Sequence, residues 1–251
     1  MNRADDSGIG FLYCGAGVRP EYFKLPRDLA ALTGSFGIAL PWQVQRDAAV
    51  LTFAIECADR LLDAIPQTDR RTRFSAGVVS CLRGERIIEG EVTLELAGWL
   101  SRLREVAERR RVQGAFCEIV RDLLSNSEQM RTTRSQAGFV ECVVREGRWM
   151  VELLLLILAD VSTPPFECFM RRLSAPANLS DKLRDAVLDF RRGEMAFPPT
   201  LAFRMRLAYE ILRRALRLGI TYASHGRLLR WGIQSLFAEL IWFRFSKSHS
   251  H

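Results

Sequence analysis

The chain reads as an all-α protein. Three observations carry that reading. Apolar residues recur at helical spacing through most of its 251 residues. No segment shows the strict alternation of a half-buried strand. Prolines fall between the periodic stretches, as breakers do. The connections are short, with no repeat, low-complexity linker or composition shift, so one domain is expected.

Taken in order, residues 1–34 carry Gly8, Gly10, Gly15, Gly17, Pro20 and Pro26 and read as an irregular N-terminal segment. A helical domain follows over 35–245, and 246–251 form a polar tail. Pro41 opens a helix that runs to about Ile65 and is stopped by Pro66. A second helix covers roughly 68–82, and Gly84 and Gly90 bracket the next connection. Helices are expected over about 91–110, 113–127 and 136–160, the last nearly continuous in apolar residues from Leu153 to Ala159. Pro164-Pro165 break it. A short helix to about Leu173, a turn at Pro176 and a helix over 177–192 stopped by Gly193 come next. Pro198-Pro199 begin a helix to about Leu218, and a last helix is expected over 226–245.

Composition narrows the function classes. Hydrophobic residues make up 48% and charged residues 26%, which excludes a disordered chain. The net charge is +7, carried almost wholly by arginine: the lysines are Lys24, Lys182 and Lys247. A basic balance suits anionic partners such as diphosphates, acidic headgroups or nucleic acid. The arginines are spread over all the helices rather than gathered in a stripe with aromatics, so no nucleic-acid partner is expected. Six scattered cysteines without a CxxC read as reduced residues of a cytoplasmic protein. The apolar run at 153–159 is too short to span a bilayer. No HExxH, phosphate-binding glycine loop or nucleophile elbow is present, which leaves zinc hydrolase, kinase and serine esterase readings without support.

The residues that suggest chemistry are aspartates. Asp59 and Asp63 stand four apart at the end of an otherwise apolar helix, and Asp185 and Asp189 repeat that spacing, with Asp181 one turn earlier. On a helix, such spacing aims the carboxylates of each set the same way. Carboxylates beside core residues need a partner or a metal. Two opposed sets would form a cage of hard oxygen ligands suited to Mg²⁺, which keeps waters and leans on substrate phosphates for the rest of its shell. Arg184, Arg191 and Arg192 flank the second set and suit a diphosphate, held in charge-assisted hydrogen bonds.

The wider text is more specific. Residues 35–63 read Ser35-Phe36, then Leu40-Pro41, then Arg46, then an apolar helix into Asp59-x-x-x-Asp63. Residues 181–198 read Asp181-Lys182-Leu183-Arg184-Asp185, three more residues, then Asp189-Phe190-Arg191-Arg192-Gly193 and an apolar-proline pair, Phe197-Pro198. Together these resemble the two aspartate motifs of the squalene/phytoene synthase family, over roughly 35–200. Gly147 and its following apolar run sit where that family has its cavity-lining inner helix. The chain departs from the pattern at Glu56, where the family has an arginine, at Glu146 and Met150 on the inner helix, and at Asp181, where it has an asparagine.

The resemblance implies a class I isoprenoid synthase bundle with a central active-site cavity. It implies Mg²⁺ held by Asp59, Asp63, Asp181, Asp185 and Asp189, with Ser35, Phe36, Arg46, Gly147, Arg184, Arg191 and Arg192 on the substrate, a C10–C20 prenyl diphosphate. The implied reaction ionises the allylic diphosphate and joins two prenyl chains head to head. Cyclisation of one chain is the alternative that the departures suggest, and a non-catalytic interaction protein of the same fold is the second. The final helix, with Trp231, Phe237, Ile241, Trp242 and Phe245 among basic residues, suits packing on the bundle or a dimer partner, or contact with a membrane surface.

Overall fold

The structure, a computed structural model, describes residues 24–85, 92–224 and 226. Among these, all regular structure is helical: α1 (Lys24–Ser35), α2 (Trp42–Asp63), α3 (Thr68–Arg83), α4 (Leu94–Arg109), α5 (Gln113–Thr132), α6 (Gln136–Leu158), α7 (Pro164–Arg192) and α8 (Leu201–Thr221). The expected all-α class is therefore observed. The expected last helix at 226–245 lies outside the described residues, Gly226 apart. None of the described helices is long and apolar enough to cross a membrane.

Local chemistry explains most boundaries. Thr93, Ser135 and Thr200 each accept a hydrogen bond from the backbone N–H three residues on, capping α4, α6 and α8. Pro41 and the Pro164-Pro165 pair precede or open α2 and α7 as anticipated. Gly84 and Gly193 end α3 and α7 in the left-handed conformation, at φ 76° and 75°. Two expectations are corrected. Residues 24–34, read as irregular, belong to α1; Pro26 falls in the first turn, where its missing N–H costs no hydrogen bond. And Pro176 does not make a turn, because α7 is one helix of 29 residues running through it.

The reason α7 survives Pro176 is tertiary. An interior proline costs a helix about 3 kcal/mol. Here Ser174, Ala175 and Pro176 are all buried against α6. The backbones come so close that a Cβ on Gly147 would lie 2.7 Å from the Ser174 carbonyl oxygen and 2.9 Å from Asn178 Cβ. One turn on, Asn178 Nδ2 donates to the Val143 carbonyl at 2.7 Å and to Glu146 Oε2 at 2.8 Å. Ser180 Oγ donates to the Pro176 carbonyl at 2.8 Å. Packing and these hydrogen bonds hold the chain helical where the local signal says stop.

The core forms two clusters. The larger joins α1–α5 to the C-terminal half of α6 and the start of α7, with Phe53 stacked on Trp99 and Leu153, Ile157, Leu158 and Phe166 fully buried. The smaller gathers Met130, Phe139, Val143, Leu179, Met195, Phe203 and Leu207 from α5–α8. Asp47, 1% exposed, ties α2 to the end of α4: it accepts from Arg109 at 2.6 Å, from Arg110 at 2.8 and 3.1 Å, and from Gln43 at 2.9 Å. Removing one partner of such a buried network strands the others. Asp47→Ala is expected to lower stability by about 3–5 kcal/mol in urea unfolding, and an unchanged midpoint would remove this network as a support of the fold.

Candidate functional site

The end of α2 is held by side chains from α3 and α5. Buried Arg71 of α3 donates to the carbonyls of Ile65 and Pro66 at 3.0 and 2.9 Å and pairs with Glu128 of α5. Arg131, one turn on from Glu128, is itself buried and pairs with Asp63. This clamp holds the Asp63 carboxylate of the first pair.

The second set arrives from α7. Lys182, whose side chain is 18% exposed, stands 3.5 Å from Asp189 Oδ2 and 4.0 Å from Glu194 Oε2. Glu194 reaches the site because Gly193 reverses the chain: the Glu194 N–H returns to the Asp189 carbonyl at 2.8 Å, closing the helix end. Lys182 is also within electrostatic reach of Glu146 on α6 and Asp59 on α2. The two distant aspartate segments are thus brought together, with a lysine between them.

The electrostatics reflect crowding of like charge. Asp59 keeps an exposed surface yet is crowded by protein on its other sides. Loss of water and the neighbouring Asp63 push its pKa up to about 7, against the pull of Lys182. Burial, then Asp63 and Asp189, push Glu194 up to about 8. The Asp63 and Glu194 carboxyls meet with no donor between them unless one is protonated, and Glu194 Oε1 makes no hydrogen bond. Burial raises Asp189 as well, opposed by Lys182. Burial alone works against the Lys182 ammonium, but Glu146, Asp189, Glu194 and Asp59 outweigh it and raise its pKa.

The expected residues therefore separate into groups. Asp59, Asp63 and Asp189 converge. Asp181 and Asp185 sit at the rim, their side chains 53% and 39% exposed, and both pair with Arg184. The Arg184 guanidinium is thus paired within its own helix. Arg191 and Arg192 are exposed, and Arg192 lies 4.0 Å from Glu194.

Four expected substrate contacts are placed elsewhere. Phe36 packs on Phe166, Phe169 and Tyr222 at centroid distances of 5.4, 5.3 and 6.4 Å. Phe166 precedes Asp185 by 19 helical positions, a rise of about 28 Å, so Phe36 serves the far end of the bundle. Ser35 donates to the Ala31 carbonyl at 3.1 Å, finishing α1. Arg46 is exposed near the start of α2, about 20 Å of helix from Asp59. Gly147 is buried in the α6–α7 contact, where its missing side chain admits α7. A cleft of about 300 Å³ is lined by Val140, Glu141, Val144, Arg145 and Arg214, none of them an expected site residue.

Lys182, Glu194 and Arg131 were not anticipated as site residues. Lys182 had a signal, since it is one of three lysines in an arginine-rich chain and falls inside the second motif. Arg131 had none. Among the described residues, no three His, Cys, Asp or Glu side chains are arranged to hold one metal ion. No protein-family model, curated protein or solved structure matches this chain.

The raised carboxyl values set a pH dependence. Asp59 and Glu194 hold protons in the folded chain that the unfolded chain releases at ordinary carboxylate pKa values. Between those values and about 7 to 8, the folded state binds more protons, so stability falls as pH rises. The melting temperature of metal-free protein is expected to fall from pH 5 to 8, and to fall less in Asp59→Asn. A melting temperature that rises over this range would contradict the carboxylate crowding.

Proposed function

We propose that the chain is a Mg²⁺-dependent synthase that ionises a prenyl diphosphate and forms a carbon–carbon bond, as the resemblance of its two aspartate motifs to the squalene/phytoene synthases implies. The observation that carries the reading is the convergence of Asp59 and Asp63 with Asp189. These come from helices more than a hundred residues apart, and Lys182 lies 3.5 Å from Asp189 and within electrostatic reach of Asp59.

The donor chemistry suits Mg²⁺, although as placed no three of these carboxylates surround one point. The oxygens are hard, and Asp189 Oδ2 and Glu194 Oε1 are buried without a hydrogen bond. The resemblance assigns the ion to Asp59, Asp63, Asp181, Asp185 and Asp189, whose side chains would have to move together to hold it. When bound, Mg²⁺ supplies positive charge against which a diphosphate can leave. The chain's own part is binding and orientation. Arg131 holds Asp63 and Asn178 holds Glu146. Arg184 and Arg192, at the rim, can turn from their present carboxylate partners to phosphate oxygens.

Head-to-head condensation follows the resemblance. Cyclisation is the alternative, and Glu56 favours it: this carboxylate, 5% exposed, replaces the family's diphosphate-binding arginine three residues before Asp59. A non-catalytic role has its own supporting observation, the lysine that stands among the carboxylates.

Purified protein incubated with Mg²⁺ and geranyl, farnesyl or geranylgeranyl diphosphate is expected to release diphosphate. Asp59→Ala and Asp189→Ala should lower that release on the order of 100-fold or more. A product of doubled carbon number indicates condensation, and one of unchanged number cyclisation or lysis. A folded wild-type protein with no turnover on any of them would sink the enzymatic reading in favour of the binding one.

A further inference from the structure

Helix α8 is apolar on two faces. One faces the core, where Phe203 and Leu207 are fully buried. The other lies open: Leu201, Met205, Tyr209, Leu212, Leu216 and Ile220 are each between 56% and 77% exposed. Their spacing of three and four residues sets all six along one side of the helix, a row about 28 Å long. No other helix among the described residues exposes as many large apolar side chains. A surface helix carries one apolar stripe toward its core, and a second stripe marks a second neighbour. Arg206 and Arg217, both exposed, border the row and leave its centre uncharged.

Chain continuity identifies the neighbour. The end of α8 is anchored, since Tyr222 packs on Phe36 and Phe169 at centroid distances of 6.4 and 5.1 Å. The backbone then turns over 222–224 and is helical again at Gly226. The residues that follow include Leu229, Ile233, Leu236, Leu240 and Phe243, apolar at alternating steps of four and three. That is the pattern of a helix with one apolar seam. As a helix the seam is about 21 Å long, enough to cover α8 from Met205 to Ile220. A connection this short joins antiparallel neighbours. Counted from the turn, Leu216 falls opposite Ile233, Leu212 opposite Leu236 and Tyr209 opposite Leu240.

We propose that residues 227–245 form a helix that folds back antiparallel on α8 and covers the row from Met205 to Ile220. The two apolar seams bury each other, while Arg206 and Arg217 stay at the edge of the contact with their guanidinium groups in water. The exposed face of α8 is then the seat of this chain's own C-terminal segment, closed to a second copy and to lipid. The inference is independent of the reaction proposed above.

The test uses the full chain carrying Cys14→Ser and Cys168→Ser, so that the remaining native thiols are buried. A short bis-maleimide is applied to Leu216→Cys with Ile233→Cys, and to the out-of-register pair Leu216→Cys with Phe243→Cys. The first pair is expected to cross-link within one chain and the second is not, as read by mass spectrometry. In the otherwise native chain, Leu212→Glu with Leu216→Glu should speed tryptic cleavage after Arg227 and Arg230 about tenfold or more, because cleavage tracks the population of the open form. Both substitutions lie on the exposed face, so the buried side of α8 is left intact. Absence of the intrachain cross-link, or equal cleavage of wild type and variant, overturns the proposal. Cross-linking only between chains would then assign the face to a second copy. Binding of phosphatidylglycerol vesicles that Leu212→Glu with Leu216→Glu abolishes would assign it to a lipid surface.

Discussion

The close approach of α6 and α7 at Gly147 is the constraint from which the arrangement of the carboxylate site follows. Ser174, Ala175 and Pro176 press into the space left by the missing side chain. That contact sets the height and rotation of everything later on α7. Asn178, one turn beyond, bonds the Val143 carbonyl and the Glu146 carboxylate. Glu146 is in turn one of the groups that hold Lys182 in its charged form. A single permissive glycine thus connects helix packing to the electrostatics of a cluster several residues away.

The site lies where the two apolar clusters meet. Leu62 belongs to one, while Met130, Leu179 and Met195 belong to the other. Polar groups at such a junction are shielded without being sealed, which is why Asp59 keeps contact with water while losing much of its solvation. The consequence is an excess of negative charge held by geometry. Packing forces Asp59, Asp63, Asp189 and Glu194 into one region, and the chain relieves the repulsion with Arg131, Lys182 and raised proton affinity. That relief from within the chain distinguishes this cluster from a solvated acidic surface.

The buried Asp47 network shows the contrasting case. Asp47 meets Arg109, Arg110 and Gln43 in direct hydrogen bonds, all of them 3.1 Å or shorter. Its charge is matched and its oxygens are occupied, so it ties α2 to α4 and leaves nothing for a ligand. Asp189, about as buried, has one loose ammonium and an oxygen without a hydrogen bond. Burial alone does not separate a structural carboxylate from a candidate ligand; the completeness of its partners does.

Helical periodicity, the opening at Pro41 and the stops at Pro66 and Gly193 were sufficient by themselves to determine an all-α chain and most helix boundaries, because these are short-range effects of backbone geometry. The i, i+4 aspartates likewise were legible as carboxylates sharing a helix face. What only the tertiary structure decided was which of them meet. Pro176 reads locally as a turn, and packing against Gly147 overrides it. Ser35, Phe36 and Arg46 sit near the first motif in the chain but a helix length from the cluster in space. Asp181 and Asp185 share the second motif with Asp189, yet they turn to the rim and to Arg184. Arg131, Lys182 and Glu194 enter the site through helix rotation and the reversal at Gly193. Sequence spacing fixes direction within one helix; the distance between helices is set by the side chains that fill, or at Gly147 vacate, the space between them.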